Sequence, residues 1–222
     1  MSLTLSQAET QVRDALNEAT AVFWTDAQIT QWIQEGVRVF SSKTLMVEDT
    51  QDITLIENQL NYSSSDEAWL DDLIEPYAAI YRSAAAGTTY KGLIKIHPRQ
   101  IGNVPLSTIG PPKYYTMHDR KIYIFPMTSA ALVAAGATVS VLHAKETDDI
   151  TALTDEYQHL PILYAVAKCK QRDMKFQESG AMLSQFFQEI AYEREDKHGR
   201  EVDSLDKFQI PKQGGGNQSA NG

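Results

Sequence analysis

The chain is nearly devoid of cysteine. Its single thiol, Cys169, excludes a disulfide within the chain and any zinc site built on several thiolates. Cys169 lies in the apolar run LYAVAKC, where a small buried thiol is the expected role. Long apolar runs are missing too. The longest mostly apolar stretch, AALVAAGATVSVL, carries Gly136, Thr138 and Ser140 and falls far short of a membrane span. The start, MSLTLSQAET, has neither a basic cluster nor an apolar run, so no signal peptide is expected and the chain reads as a soluble product of a reducing cytoplasm. A phosphate loop is absent: the glycine cluster Gly214 to Gly216 has no strand before it and no helix after it. Positive charge is scarce. The formal net charge is -9, which excludes DNA binding through the overall field and leaves only a local basic patch for that role.

Catalytic constellations are equally hard to find. The histidines, His97, His118, His143, His159 and His198, stand at least 16 residues apart, so none forms a local metal motif. Carboxylates gather at Asp71, Asp72 and Glu75 and at Asp148 and Asp149, where solvated turns are expected, since no desolvating context marks one of them as an acid. No GxSxG elbow occurs. His159 precedes Cys169 by ten residues, a spacing that on a helix aims the two side chains apart. No catalytic residue, cofactor or metal ligand is therefore assigned.

What is present is structural signal. Leu5, Ala8, Val12, Ala15, Leu16 and Ala19 recur at helical spacing, and Ser6 with Glu9 reads as a capping box at the start. The stretch FWTDAQITQWIQEG repeats the device more strongly. Thr25 is the expected N-cap, Gln28 its reciprocal partner, Trp24 and Ile29 a hydrophobic staple, and Asp26 a charge suited to the helix start. Ile29, Trp32, Ile33, Val37 and Phe40 then form one apolar stripe.

From about Asp49 the period shortens to that of strands. QDITLI, NQLNY, YAAIYRS, TTYKGLIKI and ATVSVLHAK read as short strands, with Gly87 as a turn. GPPKYYTMHDRKIYIFP reads as a hairpin turning at HDRK and ending at Pro126. Its aromatics, Tyr114, Tyr115, Tyr123 and Phe125, fit cross-strand packing better than a base-stacking platform, because only Lys113, Arg120 and Lys121 lie beside them. Helix returns after Thr151, with Pro161 in a first turn and Leu183, Phe186, Phe187 and Ile190 on one face.

The expected fold is therefore α+β. Residues 1-48 and 151-198 supply helices that close into a bundle, residues 49-150 form an inserted antiparallel β-sandwich or barrel, and residues 199-222 form an extended tail poor in apolar side chains. Lys168, Arg172 and Lys175, spaced by four and three, share one helix face, with Lys170 off it. Such a stripe is either a solvated outer face or a docking strip for an acidic protein surface or a phosphate backbone.

The order of these parts resembles the head–tail connector adaptor proteins of tailed bacteriophages, over about residues 5 to 195. The resemblance rests on Trp24-Thr25-Asp26 at a helix start, on Gly110, Pro112 and Tyr115 followed by Ile122, Ile124 and Pro126 in the hairpin, and on Leu160-Pro161 before an Ala-rich helix. The block from Ser64 to Glu75 is longer and more acidic than that pattern. The resemblance implies a virion structural protein without enzymatic activity, forming a ring of twelve copies beneath the portal protein. Such a ring extends the DNA channel, lets DNA pass without specific binding, and docks tail tube or nozzle proteins. It also implies portal docking through Asp203, Leu205, Phe208, Ile210, Pro211 and Lys212. Two rivals remain: a tail-side completion or terminator ring, and a cell-wall hydrolase using Asp72 or Glu75.

Overall fold

Thr4 and Thr25 open the first two helices by the same device. The computed structural model describes residues 2–18, 23–83, 90–103 and 108–207. Helix α1 spans Leu5–Leu16, and helix α2 spans Asp26–Thr44. At α2 the Gln28 amide donates to Thr25 Oγ1 at 3.3 Å, and the Thr25 amide donates to Gln28 Oε1 at 3.1 Å. This is the box expected from sequence. At α1 the box is Thr4 with Gln7, two residues earlier than the expected Ser6 with Glu9. Both pairs satisfy the same spacing rule. Ser6 instead lies inside the helix, where its carbonyl accepts from Thr10 Oγ1 at 2.9 Å. Each box is worth about 1 kcal/mol.

Polar contacts that no periodicity reveals join the end of α1 to the start of α2. Arg13, buried on α1, donates to Asp26 Oδ1 at 2.5 Å and to the Trp24 carbonyl at 3.0 Å. Glu18 Oε1 accepts from the Phe23 and Trp24 amides at 2.6 and 3.1 Å.

Helix α3, Ala130–Ala134, is a single short element capped by Ser129. Helix α4 spans His159–Arg172, with Pro161 in its first turn, where a missing amide proton costs no hydrogen bond. Helix α5 spans Phe176–Lys207. The expected stripe of α2 is buried: Ile29, Trp32, Ile33, Val37 and Phe40 share one apolar cluster with Ala8 and Val12 of α1, Leu160 and Ala165 of α4, and Phe186 and Ile190 of α5. Segments far apart in sequence thus bury each other's apolar faces. The ends are also tied by polar contacts, for Gln158 Oε1 accepts from the Leu3 amide at 2.7 Å.

Among the described residues, eight strands form two sheets of four. They are β1 (Glu48–Thr54), β2 (Asn61–Tyr62), β3 (Leu73–Arg82), β4 (Tyr90–Gly92), β5 (Ile94–Lys95), β6 (Tyr114–His118), β7 (Lys121–Phe125) and β8 (Thr138–Lys145). One sheet has the order β1-β8-β3-β4, the other β2-β7-β6-β5. Neither sheet closes into a barrel, which removes that half of the expectation. The sheets are also not wholly antiparallel, since β5 pairs with β6 in parallel. Gly92 and Leu93 carry the chain from the edge of the first sheet directly to the edge of the second, and this crossover sets the direction of β5.

Ile53, Ala79, Val139 and Val141 of the first sheet share a second apolar cluster with Tyr62, Tyr115, Ile122 and Ile124 of the other. Tyr115 Oη donates to the Tyr77 carbonyl at 3.0 Å, and burial pushes its phenol up to about 12. The β6–β7 hairpin turns at Asp119 and Arg120, both at positive φ (52° and 54°), as a two-residue hairpin turn of the primed type requires. The acidic block after Ser64 forms a short 3-10 turn, Ala68–Asp71, and leads into β3. The expected turn at Gly87 lies outside the described residues.

The end of α2 meets the end of β8. Tyr77 Oη donates to the Leu45 carbonyl at 3.0 Å, the Thr147 amide donates to Ser41 Oγ at 3.2 Å, and Arg38 pairs with Asp148 at 2.9 Å. At the other end of the chain, α5 runs helically through Lys207, past Gly199 where an extended tail was expected. Asp203 and Leu205 therefore sit on helical backbone, while Phe208, Ile210, Pro211 and Lys212 lie outside the described residues.

Candidate functional site

Helices α4 and α5 form an antiparallel hairpin. His159 meets Glu189 at 3.1 Å, the Tyr164 and Phe186 rings lie 5.1 Å apart, and Lys170 pairs with Glu178 near the turn. The turn itself ends α4 with a paired closure: the Lys175 amide donates to the Lys170 carbonyl at 2.9 Å and the Met174 amide to the Gln171 carbonyl at 3.2 Å. Met174 takes the left-handed position, φ 60°, that such closures usually give to glycine.

This geometry dissolves the basic stripe. Lys175 follows the helix end, so it shares no helix face with Lys168 and Arg172, and it pairs with Asp173 at 2.6 Å. Lys168 is spent on α2, pairing with Glu35 at 3.1 Å and lying 5.0 Å from the Tyr164 ring centre. Arg172 stacks over Trp32, 5.1 Å from its centre. Tyr164 Oη donates to Glu35 at 2.5 Å. Partial burial opposes charge at Glu35, but the bonds from Tyr164 and Lys168 outweigh it and hold the carboxyl below its ordinary range. The Lys168 ammonium likewise feels a burial penalty, and its bonds to Tyr164 and Glu35 still carry it upward. Burial, then the Glu35 bond, pushes the Tyr164 phenol up.

The surface around the hairpin turn is unusual for its apolar content. Met174 is 79% exposed, Phe176 64%, and Phe23, across the turn in the α1–α2 connection, 81%. A cavity of about 620 Å³ opens there, its charged lining made of Glu18 and Asp173 as well as Lys170, Arg172 and Lys175. At the opposite end of α4 a cleft of about 320 Å³ is lined by Glu156, His159, Glu189 and Glu193, with Tyr192 70% exposed at its edge. The hairpin therefore exposes apolar side chains at its turn, where the cations of Lys170 and Lys175 are paired with Glu178 and Asp173, and is acidic and aromatic at its other end.

The residues weighed for chemistry are not brought together. Burial pushes the Cys169 thiol up to about 12, the setting of an inert structural thiol. No group of three or more potential metal ligands forms among the described residues. His143 is buried against the Trp69 ring, 4.7 Å between centres, and His159 pairs with Glu189. Glu75 pairs with Lys95 at 3.1 Å, and Asp71 and Asp72 line a polar cleft with Arg38, Arg120, Lys145 and Asp148. Tyr115 and Phe125 are buried and Tyr123 stacks on Phe125, so the aromatic hairpin packs inward and across its strands. No described helix is long and apolar enough to cross a membrane.

Two α-helical pairs burying one cluster, two open sheets and a surface with paired charges describe a structural part with faces to offer. The family model for the SU10 adaptor protein matches residues 3–204. The chain belongs to the SU10 adaptor family and is a structural adaptor protein of a bacteriophage particle, a family of virion components that is not an enzyme class. Its partners are accordingly other phage head or tail proteins. No curated protein matches the chain.

Proposed function

We propose that the chain is the head–tail connector adaptor of its phage, a ring of twelve copies seated beneath the portal protein. The ring extends the DNA channel and presents the docking surface for tail tube or nozzle proteins. The observation that carries this reading is charge. At -9 per chain, twelve copies bear roughly -108 formal charges, a field that repels DNA and lets it slide. A channel that neutralised phosphates would grip its cargo instead.

The fold supports the assignment of parts. Residues 1-48 and 151-198, joined by the shared cluster of α1, α2, α4 and α5, act as a helical bundle. Residues 49-150, whose two sheets share a second cluster, act as an inserted β-sandwich. The cluster contacts of α5 run only as far as Ile190 among the described side chains, and the helix continues to Lys207. The segment Asp203 to Lys212, continuous with that helix, is the portal-docking element in this reading.

Copurification tests it. The full chain should be recovered with portal, and a chain ending at Gly199 should lose portal while keeping its fold. Retained binding would remove the docking role of Asp203 to Lys212. Recovery with tail tube alone would move the protein to a tail-side ring.

A further inference from the structure

We propose that Glu67 guards the open edge of β1 and keeps free copies of this chain from pairing strand to strand. Its carboxylate fills an amide that an edge strand of a second copy would otherwise claim.

The phase of the ladder shows which groups face that edge. Strand β1 pairs with β8 on one side and ends its sheet on the other. Just before β1, the Lys145 amide donates to the Val47 carbonyl at 2.9 Å. Val47 and Lys145 continue the β1–β8 register by one step, so hydrogen-bonded pairs recur at Asp49, Gln51 and Ile53. The intervening residues Thr50, Asp52 and Thr54 therefore aim their amides and carbonyls away from β8.

At 7 residues β1 is the longest open edge among the described strands. The other sheet-edge strands are β4 with 3 residues and β2 and β5 with 2 each. A long edge is a template for another chain's strand unless something covers it. Side chains cover this one. The Thr54 amide donates to Glu67 Oε1 at 2.9 Å and the Thr50 amide to Asp49 Oδ1 at 2.8 Å. Just past the strand, the Ile56 amide donates to Tyr62 Oη at 3.1 Å. An incoming strand would have to displace these acceptors.

Asp49 acts from within β1, and Tyr62 is part of the buried β cluster. Glu67 instead comes from the acidic block after Ser64, to which the sequence alone gives no role. That block is fixed on both sides of Glu67. The Asp66 and Glu67 amides both donate to the Ser63 carbonyl, at 2.9 and 3.1 Å, and Leu70 is fully buried in the β cluster. The turn thus carries a carboxylate to the outward side of Thr54. An ionised carboxylate suits the task because it only accepts: it satisfies the Thr54 amide as a carbonyl would, yet offers no N–H to continue a ladder.

The test follows the full chain by sedimentation and by hydrogen exchange over residues 48–54. Glu67→Ala should self-associate at about a tenfold lower concentration than the native chain, with exchange at Asp52 and Thr54 slowing as concentration rises. Glu67→Gln keeps an acceptor for the Thr54 amide and should sediment as the native chain does. Combining Glu67→Ala with Thr50→Pro should reverse the association, because proline is tolerated where an edge amide faces outward but blocks a new ladder. Association that persists with Thr50→Pro reports misfolding rather than strand pairing and overturns the guard. Glu67→Ala that sediments like the native chain overturns it too, as does Glu67→Gln that associates as strongly as Glu67→Ala. Each of these results leaves the ring reading as it stands.

Discussion

A Cβ placed on Gly36 of α2 would lie 3.0 Å from Pro161 Cα and 3.1 Å from Tyr164 Cβ of α4. The two helices meet backbone to backbone at this point, and the side chains of Glu35, Tyr164 and Lys168 close over it. Gly36 ends the WIQEG run that sequence alone singles out without explaining. Its role is to let a helix from the N-terminal part press against one from the C-terminal part.

Gly36→Ala tests that close approach. In a solvated helix the change would gain nearly 1 kcal/mol. Here the methyl group meets backbone that cannot rotate away, and overpacking costs about 1–3 kcal/mol. Urea denaturation should show a net loss of about 1–2 kcal/mol. A gain in stability would mean that α2 and α4 do not touch as described.

The buried His143 predicts a pH effect. Burial lowers its pKa below 6.5, while the Val141 carbonyl and Asp49 pull the other way and Lys145 adds to the lowering. The folded form thus takes up a proton later than the unfolded chain does. The stabilisation is complete above about pH 6.5 and declines as pH falls from there toward the folded value. Thermal midpoints measured across this range should fall with pH in the native protein and lose that slope in His143→Phe. The same slope in both proteins would place the titrating group elsewhere.

Glu35 acts at lower pH. Its carboxyl is held below 4.5, so its contribution is present above that value and disappears as pH drops through the folded pKa. The group is partly solvated, and the pair with Lys168 contributes under about 1 kcal/mol. Glu35→Gln should therefore flatten the stability profile below pH 4.5 and leave the His143 limb untouched. The opposite sign holds for Lys168, whose raised pKa makes its contribution full at neutral pH and lost only in strong alkali. Separate midpoint–pH profiles of the two variants check the assignment.

Local rules are legible in this sequence where the chemistry is local. Thr25 and Gln28 announce their helix because both partners lie within four residues. The β6–β7 hairpin announces itself because its turn and both arms are contiguous. The same rules misplace the first cap, since Thr4 with Gln7 and Ser6 with Glu9 both satisfy the spacing and only packing selects one. Non-local pairings leave no such mark. The parallel partnership of β5 with β6 and the Arg13–Asp26 contact depend on segments brought together by the fold. Lys175 looks helical with Lys168 and Arg172 until Met174 adopts a positive φ, which methionine rarely signals. The exposed apolar pair at the α4–α5 turn was hidden for the same reason: Met174 and Phe176 are ordinary residues until the turn places them outward.

The central claim is a ring of this chain at the portal vertex. Cryo-electron microscopy of the intact particle at that vertex tests it most directly. The account predicts density for twelve copies in a closed ring between portal and tail, with the C-terminal end of α5 entering the portal and an acidic lining facing the DNA. A vertex whose portal joins the tail with no such ring between them would contradict it.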